Sequence, residues 1–355
     1  REGHNNMNKL TKVGLSALCG SLASISAANA GELSVTGGVD MTWMSLSNAQ
    51  TGNPIGMGSN LTFKGAGELD NGWTFDFTVA NLNGGTFSAA QVTLDTGAFG
   101  SLELNQGDSS NGIDALDDKM PTAWEENWGA GLGTGIDLVS GSGTSTNVQY
   151  NSPTILGTSI ALTYAPQMGA ADTADKSSGT GTANTSGGYD ATININPSFG
   201  TEILSGLNLF VGGHVHDRQL DGGGVEVGTN EHVEGTAGIT YSLGPISLGF
   251  QRSGEITGNT ITTTDVDYYR NNMYGVSFNV NDNLSVSYGL TESEQNFVNP
   301  NNSEAVSMEV ESYQIAYTMG GASIRYADIS MDNGSYQSGT AFDKDAKVVS
   351  LSLAF

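Results

Sequence analysis

Basic residues, charged residues and long apolar runs are all scarce in this 355-residue chain, and each scarcity argues against a class of protein. Only 12 residues are Lys or Arg against 37 Asp or Glu, which gives a formal net charge of -25 at pH 7. Nucleic-acid binding relies on clusters of Lys and Arg that neutralise phosphates, so that class is excluded. No run of about 18 apolar residues is present, which argues against membrane spanning by helices.

Cysteine is also nearly absent, and its single occurrence lies in an N-terminal segment typical of a secretory signal. From Met7 a short basic region leads into an apolar, small-residue stretch at 13–25, followed by the cleavage pattern Ala28-Asn29-Ala30. The sequence therefore predicts an upstream extension at 1–6, a cleaved signal peptide at 7–30 and a single mature domain at 31–355. Cys19 falls inside the signal, so neither disulfides nor thiol chemistry is expected in the mature chain.

Glycine and strand-like alternation are abundant in the remainder. The chain holds 50 Gly, roughly twice the usual share of about 7%. Apolar residues alternate with Ser, Thr, Gly, Asn or a charged residue in sixteen segments between Glu32 and Phe355, among them 61–64, 74–79, 101–105, 246–250, 284–288 and 349–355. A period of two places one set of side chains on each face of a strand, so the sequence predicts an all-β protein.

The connections between these segments alternate in length. Short turn sequences occur at 70–73, 96–100, 244–245, 281–283 and 320–321, with somewhat longer ones near Pro153 and Pro197. Long polar connections lie between them, at 47–56, 109–145, 167–187, 219–231, 257–271, 297–309 and 332–345. Short periplasmic turns and long external loops are typical of transmembrane β-barrels. An even number of strands would place both chain ends on the periplasmic side.

A soluble β-sandwich is the alternative, with bulky residues filling a dry core and charged residues on the outer faces. Here the polar set is mostly small and uncharged, whereas the apolar set contains aromatic residues such as Trp43, Phe75 and Tyr288 near strand ends. Aromatic residues at strand ends suit the girdle of a membrane interface. Because backbone groups in lipid must be hydrogen-bonded, such a sheet must close on itself, and we expect a 16-stranded antiparallel barrel.

With these features the chain resembles the general-diffusion porins of Gram-negative bacteria, most nearly their alphaproteobacterial branch. The resemblance covers 31–355, and its most specific features are the opening segment 31–38, the closing segment Leu351–Phe355 and the long third loop. It implies an outer-membrane location, a homotrimer, contact with outer-membrane lipid, and a third loop that folds inward to narrow a water-filled channel. It also implies that Phe355 is the recognition signal for the barrel assembly machinery.

The third loop, predicted at 109–145, is much longer than a strand connection requires. A solvated surface loop is one interpretation. The other is a pore constriction, where carboxylates set ion selectivity. The candidate constriction residues are Asp114, Asp117, Asp118, Glu125 and Glu126.

Charged residues on the predicted lumen wall are mostly acidic. By alternation the inward set contains Lys64, Asp76, Asp95, Glu103 and Arg325. The porin family carries a basic cluster facing the acidic loop, and one or two cations are too few to form one here. A lumen of net negative potential concentrates cations. We therefore expect passive diffusion of small hydrophilic solutes and ions with a preference for cations.

Other chemistry is weakly indicated. His214 and His216 share one strand face and His232 begins the next strand, but no third metal ligand is specified, so lumen-facing polar residues are the favoured interpretation. Loop carboxylates could hold Ca²⁺, although their spacing implies no ordered calcium site and no cofactor is expected. No nucleophile is placed beside a base, so enzymatic activity is not expected. A substrate-specific channel for sugars or polyamines, a barrel enzyme and an adhesin are the alternatives.

Overall fold

The chain forms a closed antiparallel barrel of sixteen strands. The computed structural model describes residues 32–47, 53–83, 87–106, 111–129, 132–169, 186–197, 202–217, 231–258, 265–298 and 305–354. The strands are β1 Leu33–Leu46, β2 Ile55–Glu68, β3 Thr74–Leu82, β4 Phe87–Asp95, β5 Ser101–Gln106, β6 Thr146–Asn151, β7 Thr158–Ala165, β8 Gly188–Ile195, β9 Leu207–His216, β10 His232–Leu243, β11 Ile246–Ile256, β12 Val266–Asn281, β13 Leu284–Phe297, β14 Val306–Met319, β15 Ala322–Asp332 and β16 Lys344–Ala354.

Every strand pairs with its neighbours along the chain, and the barrel closes where β1 pairs with β16. In that closing seam Gly38 lies opposite Ala354 and Leu46 lies opposite Ala346. Closure leaves no free sheet edge, which is the condition for a β-structure in hydrocarbon. The predicted 16-stranded antiparallel barrel is therefore confirmed.

The outer face is apolar over most of the barrel, because alternate residues of each strand point outward and most of these outward residues are apolar. Leu33, Phe63, Leu104 and Leu248 are examples, each at least 40% exposed. Outward aromatic rings meet in pairs across neighbouring strands, as at Tyr164 and Tyr189, whose centroids are 5.0 Å apart. Such an outward apolar band with aromatic residues is the surface expected of a membrane barrel.

The alternation is inverted in the half of β14 and β15 that lies toward the long loops, a feature the sequence analysis did not foresee. Met308, Val310 and Ile329 point into the barrel and are at most 1% exposed. Between them Glu309 and Glu311 point outward, and Glu309 pairs in register with Glu292 and with Asp332. In this sector the barrel is apolar inside and acidic outside, the arrangement that was expected of a soluble sheet.

The connections largely follow the predicted alternation in length. The end of the barrel that carries the short turns also carries the start of β1 and the end of β16. One connection there includes a single helical turn, α1, at Glu202–Ser205. At the other end the connection 83–86 between β3 and β4 is as short as a turn, so not every connection at that end is long.

Several sequence predictions lie outside the described residues. These are the upstream extension 1–6, the signal peptide 7–30 and the assembly signal Phe355, and all of them stay predictions. Within the described part of the chain, no helix has the length and apolarity needed to cross a membrane.

Candidate pore constriction

The described parts of the third loop between β5 and β6, residues 111–129 and 132–145, fold into the barrel and follow its inner wall, as predicted. The first part contains a short 3₁₀ helix, Gly112–Leu116, whose main chain is held by the wall: Gly112 N donates to the Gln149 side chain at 2.7 Å. Farther along, Ala123 N donates to Ser287 Oγ at 2.8 Å. The loop therefore crosses from β6 to β13 on the inside of the barrel.

Two glutamines of the wall bind the loop through both ends of their amide groups. The Gln251 Oε1 accepts from Lys119 N at 2.9 Å, and its Nε2 donates to the carbonyl of Leu116 at 2.7 Å. Gln314 repeats the arrangement, accepting from Trp124 N at 3.0 Å and donating to the carbonyl of Glu125 at 2.8 Å. An amide carries both donor and acceptor, so one side chain satisfies both kinds of main-chain group.

Apolar clusters hold the loop against the wall on both sides of its tip. Leu116 and Met120 pack with Phe210 of β9 and Met273 of β12. Leu132, Ile136 and Trp124 join the second cluster, whose wall members are Met308, Val310, Ile329 and Met331. The inverted alternation of β14 and β15 thus provides the apolar surface that covers this part of the loop, and burial of that surface stabilises its position.

Inward-facing glycines leave room for the loop, and sequence reasoning missed them. A Cβ on Gly275 would lie 2.9 Å from Met120 Cβ and 2.9 Å from Pro121 Cδ. A Cβ on Gly249 would lie 2.6 Å from the same Pro121 Cδ. The available signal was glycine at inward positions of neighbouring strands, since Gly249 and Gly275 are partners in register.

The first carboxylates of the loop are buried or half-buried. Asp118 is 8% exposed and its Oδ1 accepts from Met120 N at 2.8 Å. Burial raises the pKa of Asp118 to about 6, with Glu126 and Asp117 nearby adding to the shift. Asp117 is less buried, and burial also raises its pKa. Asp114 lies against Gly143 of the same loop.

The tip of the loop meets the wall at β15 and β1, the two strands on either side of β16. The Arg325 guanidinium stacks over the Trp124 ring at 5.0 Å and donates to Asp40 Oδ2 at 2.7 Å. Burial raises the pKa of Glu125, with Glu126 raising it further and Arg325 opposing the shift. Asp40 was not among the predicted site residues, although its inward position on β1 could have been inferred from alternation.

Three other predicted wall residues, Lys64, Asp76 and Glu103, lie on the side that the loop leaves open. Lys64 Nζ lies 3.3 Å from Asp76 Oδ1, and the Lys64 side chain is 50% exposed. Glu103 accepts from Gln91 at 3.0 Å and from Asn151 at 3.0 Å. An open cavity of about 590 Å³ borders this wall and is lined in part by Asp40, Asn60, Arg325 and Ser352.

Asp95 does not join this group of charges. It is the last residue of β4, and its Oδ1 accepts from Gly97 N at 2.7 Å. It therefore caps the turn that leads into β5, at the short-turn end of the barrel.

The histidines gather on the inner face of β9 and β10. His214 Nδ1 lies 2.6 Å from Asp190 Oδ1 and its Nε2 lies 2.9 Å from His216 Nδ1. His232 stacks on His216 with ring centroids 4.5 Å apart and hydrogen-bonds to Glu234 at 3.0 Å. The rings bond to one another and to carboxylates, and among the described residues no group of three or more potential ligands could hold a metal ion.

Comparison with known proteins identifies the family. The profile of the Gram-negative porin family matches residues 14–208, more than half of the chain. The chain belongs to this family. No curated protein matches it.

Solved porin structures share the fold at low sequence identity. The anion-selective porin from Comamonas acidovorans is 15% identical with a TM-score of 0.62, covering 92% of this chain and 100% of that one. OmpF of Salmonella typhi, in complex with daunomycin, is 13% identical with a TM-score of 0.65, covering 92% and 98%. The trimer form of OmpT from Vibrio cholerae is 11% identical with a TM-score of 0.62, covering 92% and 99%.

Family and fold together define the protein as an integral outer-membrane β-barrel of the porin class. Porins are channels and do not form a class of enzymes. The predicted alphaproteobacterial branch stays a prediction.

Proposed function

We propose that this porin is a cation-preferring channel for passive diffusion of small hydrophilic solutes, and that it works as a homotrimer. The observation that carries the preference is the excess of carboxylates around the third loop and the open wall. They are Asp40, Asp76, Glu103, Asp117, Glu125 and Glu126, against the cations Lys64, Lys119 and Arg325. A water-filled passage with this balance attracts cations and repels anions, and salt screens the effect.

The sign of the preference has to come from these residues and not from the fold. The anion-selective porin from Comamonas acidovorans shares the fold, so the barrel architecture is compatible with a preference for either cations or anions. The trimer form of the similar Vibrio cholerae protein supports a trimer for this chain.

Reversal potentials across a KCl gradient in a planar bilayer test the proposal. We expect large conductance steps, grouped in threes, and a potential that favours K⁺. Glu125→Gln removes a negative charge at the loop tip and should lower the K⁺ preference. Arg325→Gln leaves Asp40 without its ion pair and should raise it.

Asp70→Asn is the matched control, because it removes one carboxylate from an exposed turn at the short-turn end. If Asp70→Asn and Glu125→Gln changed the K⁺ preference by the same amount, the hypothesis that the loop sets the selectivity would be refuted. An anion preference in the unmodified protein would refute the proposed function itself.

A further inference from the structure

Two buried carboxylates of the wall anchor both ends of the third loop. Asp190 on β8 accepts from Ile113 N at 2.8 Å, near the start of the loop, and from Ser142 N at 3.1 Å, near its end. Glu234 on β10 accepts from Ser140 N at 2.7 Å and from Gly141 N at 2.9 Å. Both residues are at most 5% exposed. We call residues 137–142 the return arm.

The opposite oxygens of these carboxylates are bound by histidine. Asp190 Oδ1 contacts His214, which contacts His216, which stacks on His232, and His232 in turn contacts Glu234 Oε1. The chain of imidazoles therefore runs from one anchor of the return arm to the other. Three of the four histidines in the sequence take part.

Only one hydrogen atom can lie between His214 Nε2 and His216 Nδ1. Because His214 Nδ1 donates to the Asp190 carboxylate, a neutral His214 has only Nε2 left as an acceptor, and His216 Nδ1 must be the donor. One added proton can be placed on His216 Nε2 without loss of this contact. A second proton puts hydrogens on both facing nitrogens, which are 2.9 Å apart, and the contact must break.

Further titratable groups near this chain of imidazoles are acidic or phenolic. Glu255 on β11 lies 3.6 Å from His232 Nδ1. Asp137 on the return arm neighbours Glu234 and hydrogen-bonds to Glu255 and Tyr269. Histidine is the side chain whose charge ordinarily changes between pH 5 and 8.

We propose that the chain His214–His216–His232 makes the anchorage of the third loop proton-sensitive. At neutral pH the chain holds Asp190 and Glu234 in the geometry that binds the return arm. In acid its full protonation breaks the contact between His214 and His216, shifts the two anchors, and adds positive charge beside the loop. Channel conductance and cation preference then both fall. The histidines are positioning residues for the loop and touch no solute. The inference rests on the proposed channel function.

The first test is the pH profile of single-channel conductance and reversal potential between pH 8 and pH 4.5. We expect the unmodified protein to show a transition steeper than that of a single proton. His216→Gln keeps an amide that can donate to His214 Nε2 but cannot be protonated. It should remove the steep transition and leave only the shallower pH dependence of single carboxylates such as Asp118. His214→Gln is the second variant, in case the first does not fold, because its amide can donate to Asp190 and accept from His216 but cannot be protonated. Asp70→Asn should keep the transition.

The second test reports on the return arm itself. Ser140 is exposed and uses only its main-chain N–H in the anchorage, so an environment-sensitive fluorophore on Ser140→Cys should leave the contact intact. We expect its emission to shift with the same pH dependence as the conductance, and to stay constant when His216→Gln is added.

The outcomes separate this inference from the channel function. Conductance steps with no steep pH transition, or a steep transition that persists in both histidine variants, would overturn the proton-sensitive anchorage and leave the channel intact. Absence of conductance steps from folded protein at any pH would overturn the proposed function, and with it this inference.

Discussion

The wall that the third loop covers and the wall that it leaves open line the same lumen with different chemistry. The covered wall presents amides, glycines and apolar side chains, such as Gln251, Gln314 and Gly275, and nearly all of them are used in holding the loop. The open wall presents partly exposed charges, such as Lys64 and Asp76. One side of the barrel thus fixes the shape of the passage, and the other contributes charge that solutes can meet.

The largest expected effect comes from breaking the covered wall. Gly275→Leu places a side chain where Met120 and Pro121 now lie, so the loop must leave the wall. Overpacking typically costs 1–3 kcal/mol, and we expect about 3 kcal/mol here because loop main chain is involved. A lower unfolding temperature by circular dichroism and an altered conductance should appear together.

Gly65→Leu is the control for this change, since a Cβ at Gly65 meets nothing within 4 Å. If Gly275→Leu had the stability and conductance of Gly65→Leu, the packing of the loop on the wall would be unimportant.

The second effect depends on pH and concerns the buried part of the loop. The pKa of Asp118 is about 6, above its ordinary value of 3.8, so burial favours the protonated form. The protonated form therefore contributes fully to the free energy of unfolding at low pH, and this contribution is lost as the pH rises through 6. Asp118→Asn should therefore stabilise the protein at pH 8, by no more than about 3 kcal/mol, and should change little at pH 4.

Unfolding temperatures of both proteins at the two pH values measure this difference, with exposed Asp70→Asn as the reference. A gain of equal size at pH 4 and pH 8 would show that charge on Asp118 is not its cause.

The smallest effect on stability is expected on the open wall. Lys64 and Asp76 form an ion pair whose side chains are 50% and 31% exposed, and such pairs contribute about 0–1 kcal/mol. Lys64→Gln should leave the unfolding temperature nearly unchanged, yet it removes a lumen cation and should raise the K⁺ preference. A large drop in unfolding temperature would mean that the open wall also stabilises the barrel.

The architecture was predictable because period-two alternation and the spacing of connections are local properties of the sequence. The placement of individual carboxylates was not. Asp118 and Glu125 are alike as loop acids, and only the packing of the loop on distant strands buries the first and brings the second close to Arg325. Alternation also does not say which face is outward, so the inversion around Met308 and Glu309 needed the packed loop to reveal it.

Most hydrogen bonds that hold the third loop are made to its main chain, as at Lys119, Trp124 and Ser140, and do not depend on which side chains those residues carry. The path of the loop is therefore determined by residues of the barrel, whereas the charge of the loop is determined by its own side chains. Exposed loop side chains can be exchanged during evolution, or by engineering, while the path stays the same. A single barrel of this kind can accordingly serve as a common frame for channels of opposite ionic preference.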